Sequence, residues 1–125
     1  MARHILVVDD DGDVRNVIVN VLVESGFGVT AVSDGVAMRD ILAADIVPID
    51  AIVLDALMPG EASADLAVHA KALKIPVVMI SGSDDAMTFA EEHRLQLLLK
   101  PFRMAELLQA IEDAIASGQF GQRDA

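Results

Sequence analysis

The chain has 125 residues, in which 20 acidic against 9 basic side chains leave a formal charge of -11. That length suits one compact domain and leaves no room for a second output module. The acid surplus disfavours nucleic acid and anionic membrane partners, and the lack of cysteine excludes disulfides, thiolate metal sites and cysteine nucleophiles. With 54% hydrophobic residues but only 3% aromatics, the core must be packed by aliphatic side chains and methionine.

In chain order, the apolar run Ile5 to Val8 is the first expected strand, too short for a signal peptide. A helix follows over Val14 to Glu24, with Asp13 as its cap and Gly26 with Phe27 as its end. Val14, Val17, Ile18, Val21 and Leu22 form its apolar face. Val29 to Val32 is a weaker strand and Val36 to Ala44 the second helix. Ala51 to Leu54 is a strand, Ala62 to Leu73 a helix, Val77 to Ile80 a strand, Ala86 to His93 a short helix, and Leu97 to Leu99 the last strand. The closing helix runs from Met104 to Ala116, with Leu107, Leu108, Ile111 and Ile115 on one face, and Gly118 ends it. Residues 1 to 118 are then one domain, and 119 to 125 a flexible tail or the start of a linker. Continuous apolar runs suit strands buried on both faces, so five strands alternating with five helices predict an α/β fold with a parallel sheet.

In open parallel sheets ligands bind beyond the carboxyl ends of the strands. The residues just after the strong apolar runs are Asp9 and Asp10, Asp55, Ser81 and Lys100. Charges at buried strand ends are costly unless paired or bound to metal. Asp10 and Asp55, with Asp9 alongside, make an all-oxygen site suited to Mg²⁺, and in its absence mutual repulsion raises the pKa of one or more of them. Asp55 is placed to act as a nucleophile toward phosphorus, Lys100 to balance phosphoryl charge, and Ser81 to hydrogen-bond a phosphoryl oxygen. His4, His69 and His93 lack metal-ligand spacing, and Phe89 and Phe102 read as packing residues.

The succession Val7-Val8-Asp9-Asp10, Ile52-Val53-Leu54-Asp55-Ala56-Leu57-Met58-Pro59-Gly60, Val78-Met79-Ile80-Ser81-Gly82 and Leu99-Lys100-Pro101-Phe102 resembles the receiver (CheY-like) domain of two-component response regulators. The resemblance runs from Arg3 to about Ala116. It implies a flavodoxin-like, doubly wound (βα)5 fold with strand order 2-1-3-4-5. It further implies Asp55 as phosphoacceptor, Asp9, Asp10, Asp55 and the Leu57 main-chain carbonyl as Mg²⁺ ligands, Ser81 as switch hydroxyl, Lys100 as phosphate-binding lysine, and a cis bond before Pro101. The implied function is that of a cytoplasmic, stand-alone receiver, a monomer or weak homodimer. It is phosphorylated by a histidine kinase or histidine phosphotransfer protein, is a switch more than a turnover enzyme, and acts on a separate downstream protein.

The sequence departs from the family pattern in three places. Leu97 stands where the family often has an aromatic switch residue. The stretch from Ser81 to Lys100 is short by close to one helical turn, and Glu61-Ala62-Ser63 replaces the usual Met-Asp-Gly. These departures predict intact phosphorylation chemistry with an altered readout. Two other readings compete: a receiver-fold interaction module that carries no phosphate, and a haloacid-dehalogenase-type phosphatase with Asp9 as nucleophile and Asp11 as general acid.

Overall fold

The computed structural model describes residues 3–58, 60 and 62–124, with side chains through residue 117; Pro59 of the expected Met58-Pro59-Gly60 turn and Glu61 lie outside the described residues. Five strands, β1 (His4–Val8), β2 (Gly28–Val32), β3 (Ala51–Asp55), β4 (Val77–Ser81) and β5 (Gln96–Leu99), form one parallel sheet in the order β2-β1-β3-β4-β5. The helices between and after them are α1 (Gly12–Glu24), α2 (Gly35–Ala44), α3 (Ser63–Ala72), α4 (Met87–Glu92) and α5 (Met104–Asp124). This is the flavodoxin-like arrangement expected from the sequence.

The pleat divides the strand residues between two cores. Ile5, Val7, Ala51, Val53, Val78, Ile80 and Leu98 pack with Ile18, Leu22, Leu107 and Ile111 on the face covered by α1 and α5. Leu6, Val8, Ile52, Leu54, Val77 and Met79 pack with Met38, Leu66 and Ala70 on the face covered by α2 and α3. Both faces of β1, β3 and β4 are therefore apolar, which is why these strands read as unbroken runs rather than alternating ones. The weak run at Val29 to Val32 is the edge strand β2, buried by its neighbours on one side only and correspondingly half-exposed.

Three local expectations need correction. Asp11, not Asp13, caps α1: its carboxylate accepts from the N–H groups of Asp13 and Val14. The extended backbone at Asp11 lets its side chain fold over the first turn, whereas Asp13 already lies inside the helix. Asp11→Ala should cost about 1 kcal/mol of stability in urea unfolding. Val17 is half-exposed instead of facing the core, because the buried stripe of α1 is centred on Ile18 and Leu22. Finally, α5 runs on to Asp124 instead of stopping at Gly118; one glycine inside a helix costs only about 1 kcal/mol and does not by itself end it. At the other end of α1 the signal was sound. Gly26 adopts φ +96°, its N–H bonds the Val23 carbonyl and the Phe27 N–H bonds that of Leu22, a Schellman ending.

Candidate functional site

Strand register brings the acids together. Val7 pairs with Val53 and Val8 with Leu54, so one step further along both chains Asp9 comes beside Asp55. Asp55 is itself in register with Ile80, and Ser81 with Leu99. The Lys100 N–H then bonds the Ser81 carbonyl at 2.8 Å. Four of the five chemistry-bearing residues are thus fixed by the sheet itself, at its carboxyl edge. Asp10, one residue beyond Asp9, projects into solvent there.

One carboxylate oxygen from each of Asp9, Asp10 and Asp55 lies within 4.8 Å of the others. Asp9 and Asp55 are buried and Asp10 is exposed. Asp9 Oδ1 accepts the Asp11 N–H at 2.9 Å, whereas Asp9 Oδ2 is buried with no hydrogen-bond partner. A buried carboxylate oxygen left without a donor is costly. Three carboxylates of net charge -3, one of which carries an orphaned oxygen, fit a small divalent cation of the Mg²⁺ type. Among the described residues the three histidines take no part in this group. His4 instead bonds Thr30, and His93 stacks on Phe89 with ring centroids 4.1 Å apart.

Burial pushes Asp55 up from 3.8 to about 6, and the neighbouring Asp9 charge adds to this; the Leu57 N–H and Lys100 pull the other way. The Leu57 N–H donates to Asp55 Oδ1 at 3.2 Å and Lys100 Nζ lies 3.9 Å from the same oxygen. Repulsion among crowded acids was expected to raise a pKa, but desolvation is the larger cause here. The Leu57 side chain is exposed, so whatever this residue contributes comes from its main chain. Ser81 is buried at the end of β4, and its hydroxyl is engaged by the next loop: Ser81 Oγ donates to the Ser83 carbonyl at 2.7 Å and accepts the Ser83 N–H at 3.1 Å. Ser83 in turn accepts the Asp85 N–H, capping a 3-10 turn over Asp84–Ala86 that leads into α4. The bond between Lys100 and Pro101 is cis.

Two contacts of the site had no counterpart in the sequence reading. The Arg15 guanidinium donates to the Asp9 carbonyl at 2.7 Å, and Ser63, buried at the start of α3, donates its hydroxyl to the Asp55 carbonyl at 2.6 Å. Arg15 lies one turn into α1, a spacing that carries no motif, but Ser63 stands at one of the family-pattern departures. The fourth helix is indeed short, six residues in α4, and Leu97 is a half-buried packing residue against the α2–α3 core. Asp11, the general acid of the phosphatase reading, is committed to capping α1.

The molecule is thus a doubly wound α/β domain with three clustered carboxylates, a hydroxyl and a lysine at the carboxyl edge of its sheet. The family model of the response regulator receiver domain matches residues 5–112, and the chain belongs to that family. Over 96% of its length it is 31% identical to the transcriptional regulatory protein GltR of Pseudomonas aeruginosa, and over 93% it is 32% identical to the transcriptional regulatory protein FixJ of Bradyrhizobium diazoefficiens. It covers 52% and 58% of those two proteins, so the chain spans about half the length of the curated relatives it matches. A response regulator receiver protein from Sinorhizobium medicae superposes with a TM-score of 0.83 at 29% identity, covering 94% of this chain and 97% of that one. Among the described residues no helix is long and apolar enough to cross a membrane.

Proposed function

We propose that Asp55 accepts a phosphoryl group from the phosphohistidine of a histidine kinase or a histidine phosphotransfer protein, and that the phosphorylated domain acts on a downstream protein in the cytoplasm. The observation that carries this reading is the orphaned, buried Asp9 Oδ2 within a three-carboxylate group that includes Asp55. Asp9, Asp10, Asp55 and the Leu57 main-chain carbonyl would hold Mg²⁺, whose charge offsets the acids and the phosphoryl oxygens. The Asp55 carboxylate attacks phosphorus as the bond from phosphorus to the donor nitrogen breaks, leaving an acyl phosphate. Lys100, tethered behind β5, balances charge on a phosphoryl oxygen. To reach another such oxygen, Ser81 must withdraw its hydroxyl from the Ser83 carbonyl. That exchange loosens the capped turn before α4, so the signal leaves through this loop without an aromatic switch at Leu97.

Incubation with Mg²⁺ and a small acyl phosphate, followed by intact-mass measurement, tests the reading. One hydroxylamine-labile phosphoryl group should appear, and chelation of the metal should prevent it. Continuous turnover of the acyl phosphate without a stable adduct would favour the phosphatase reading, and no reaction at all would favour an interaction module that carries no phosphate.

A further inference from the structure

The two edges of the sheet differ in charge. The carboxyl edge carries the three clustered carboxylates, whereas three of the nine lysines and arginines of the chain, Lys71, Lys74 and Arg94, gather at the amino edge. Lys71 lies in the last turn of α3, Lys74 just after that helix, and Arg94 just after α4. Val78 pairs with Gln96, so two steps back along both strands Arg94 runs beside Pro76, next to the end of α3. Lys71 Nζ donates to the His93 carbonyl and so joins the two helix ends. All three cations are exposed, and among the described residues none of them forms an ion pair. Most of their donors are therefore open to an outside acceptor.

An apolar groove of about 400 Å³ adjoins these cations, between the end of α2, the α2–β3 loop and the end of α3. Ile41, Leu42, Val47, Ile49, Leu73 and Ile75 line it. Ile46, Val47 and Leu73 are exposed there. Cations near helix carboxyl ends are favourable in their own right. That contact does not account for exposed aliphatic side chains beside them, and an apolar patch rimmed by charge marks a recognition surface. We propose that this amino edge binds an acidic segment of a partner protein that also carries aliphatic residues. An aliphatic side chain enters the groove, and neighbouring carboxylates pair with Lys71, Lys74 and Arg94. Asp45 lines the groove on its α2 side, and Glu91 and Glu92 lie on the last turn of α4. Repulsion from these acids confines the partner's carboxylates to the strip between them and so orients the segment. The strip is separated from Asp55 by the length of β3, roughly 16 Å for a strand of five residues. A partner here therefore leaves the carboxyl edge open to a phosphodonor. The proposal goes beyond the phosphoacceptor reading and does not rest on it.

The test titrates the protein with synthetic peptides while its backbone amides are followed by NMR. The probe is a short peptide of leucines flanked by aspartates; its controls replace aspartate by asparagine, aspartate by lysine, or leucine by serine. The acidic leucine peptide should give saturable shifts at Lys71 to Ile75, Val47, Ile49 and Arg94, and added salt should weaken it. The three controls should bind more weakly. Removing the cations together, with Lys71→Gln, Lys74→Asn and Arg94→Asn, should weaken the probe about tenfold, as the loss of three exposed ion pairs allows. Lys74 and Arg94 have φ of 63° and 55°, and asparagine tolerates that left-handed backbone, so these changes should not unfold the chain. Leu73→Ser, at an exposed site, should weaken the probe while leaving every cation in place. Should the triple variant unfold, Lys74→Asn alone decides the role of charge, with a smaller loss of affinity expected. Absence of saturable shifts at this edge, shifts centred elsewhere, equal binding of the asparagine or serine peptide, or unchanged affinity in the folded charge variants would each overturn the proposal.

Discussion

Asp55→Asn should make the metal-free protein more stable at neutral pH while abolishing phosphorylation. Burial is the main reason the carboxyl group of Asp55 titrates near 6 instead of 3.8. Below the unfolded value both the folded and the unfolded chain hold this proton, and Asp55 places no penalty on folding. As pH rises from there through the folded value, the unfolded chain gives up the proton first, so stability is progressively lost. By neutral pH the loss is on the order of 1–3 kcal/mol. Asparagine is neutral throughout and still offers an Oδ1 acceptor to the Leu57 N–H, so the variant escapes this loss. Urea unfolding in chelator should show the gain at neutral pH and little difference near pH 4, the unfolded pKa. Added Mg²⁺ should reverse the order, because ligand that binds only the folded state stabilises it and the variant lacks one of the three clustered carboxylates proposed to hold the ion. A variant less stable than wild type under chelator at neutral pH would contradict the burial argument.

The second large effect is expected at Asp9, the residue with the orphaned oxygen. Asp9→Asn removes one of three anions whose oxygens stand within 4.8 Å of one another. At an effective dielectric near 20, a unit charge about 4 Å from another is worth about 4 kcal/mol per charge. Loss of that attraction should weaken Mg²⁺ binding by about 100-fold or more, measured by calorimetry or by metal-dependent amide shifts. The same change should lower the Asp55 pKa, since the Asp9 charge is one of the causes that raise it. These two shifts move in opposite senses, weaker metal but easier ionisation, and a general loss of structure would not produce both. Unchanged Mg²⁺ affinity in folded Asp9→Asn would remove Asp9 from the ligand set.

Much of this was legible in the sequence because the sheet is buried on both sides. Unbroken runs such as Ile5 to Val8 and Val77 to Ile80 mark strands, and the polar residue that ends each run then marks the carboxyl edge. Register supplied what the pattern lacked, since only the pairing of Val8 with Leu54 sets Asp9 beside Asp55. The chain is less explicit where several residues of one type compete. Asp9, Asp10, Asp11 and Asp13 lie within five positions, and backbone conformation at Asp11 decides which of them caps α1. In the sequence Ser63 stands out only as a departure from the family pattern, because a serine near a helix start normally caps that helix, and nothing local says it bonds backward across eight residues. Likewise Leu97 marks a departure from the family pattern, whereas the bond from Ser81 to Ser83 is visible only in the folded loop.

Direct localisation of the acyl phosphate tests the account most sharply. The protein is phosphorylated with Mg²⁺ and a small acyl phosphate, the adduct is reduced with borohydride, which converts an aspartyl phosphate into homoserine, and peptides are sequenced by tandem mass spectrometry. The modified residue should be Asp55, with wild-type label lost in Asp55→Asn. Modification at Asp9, or undiminished labelling of Asp55→Asn, would contradict the assignment of Asp55 as phosphoacceptor.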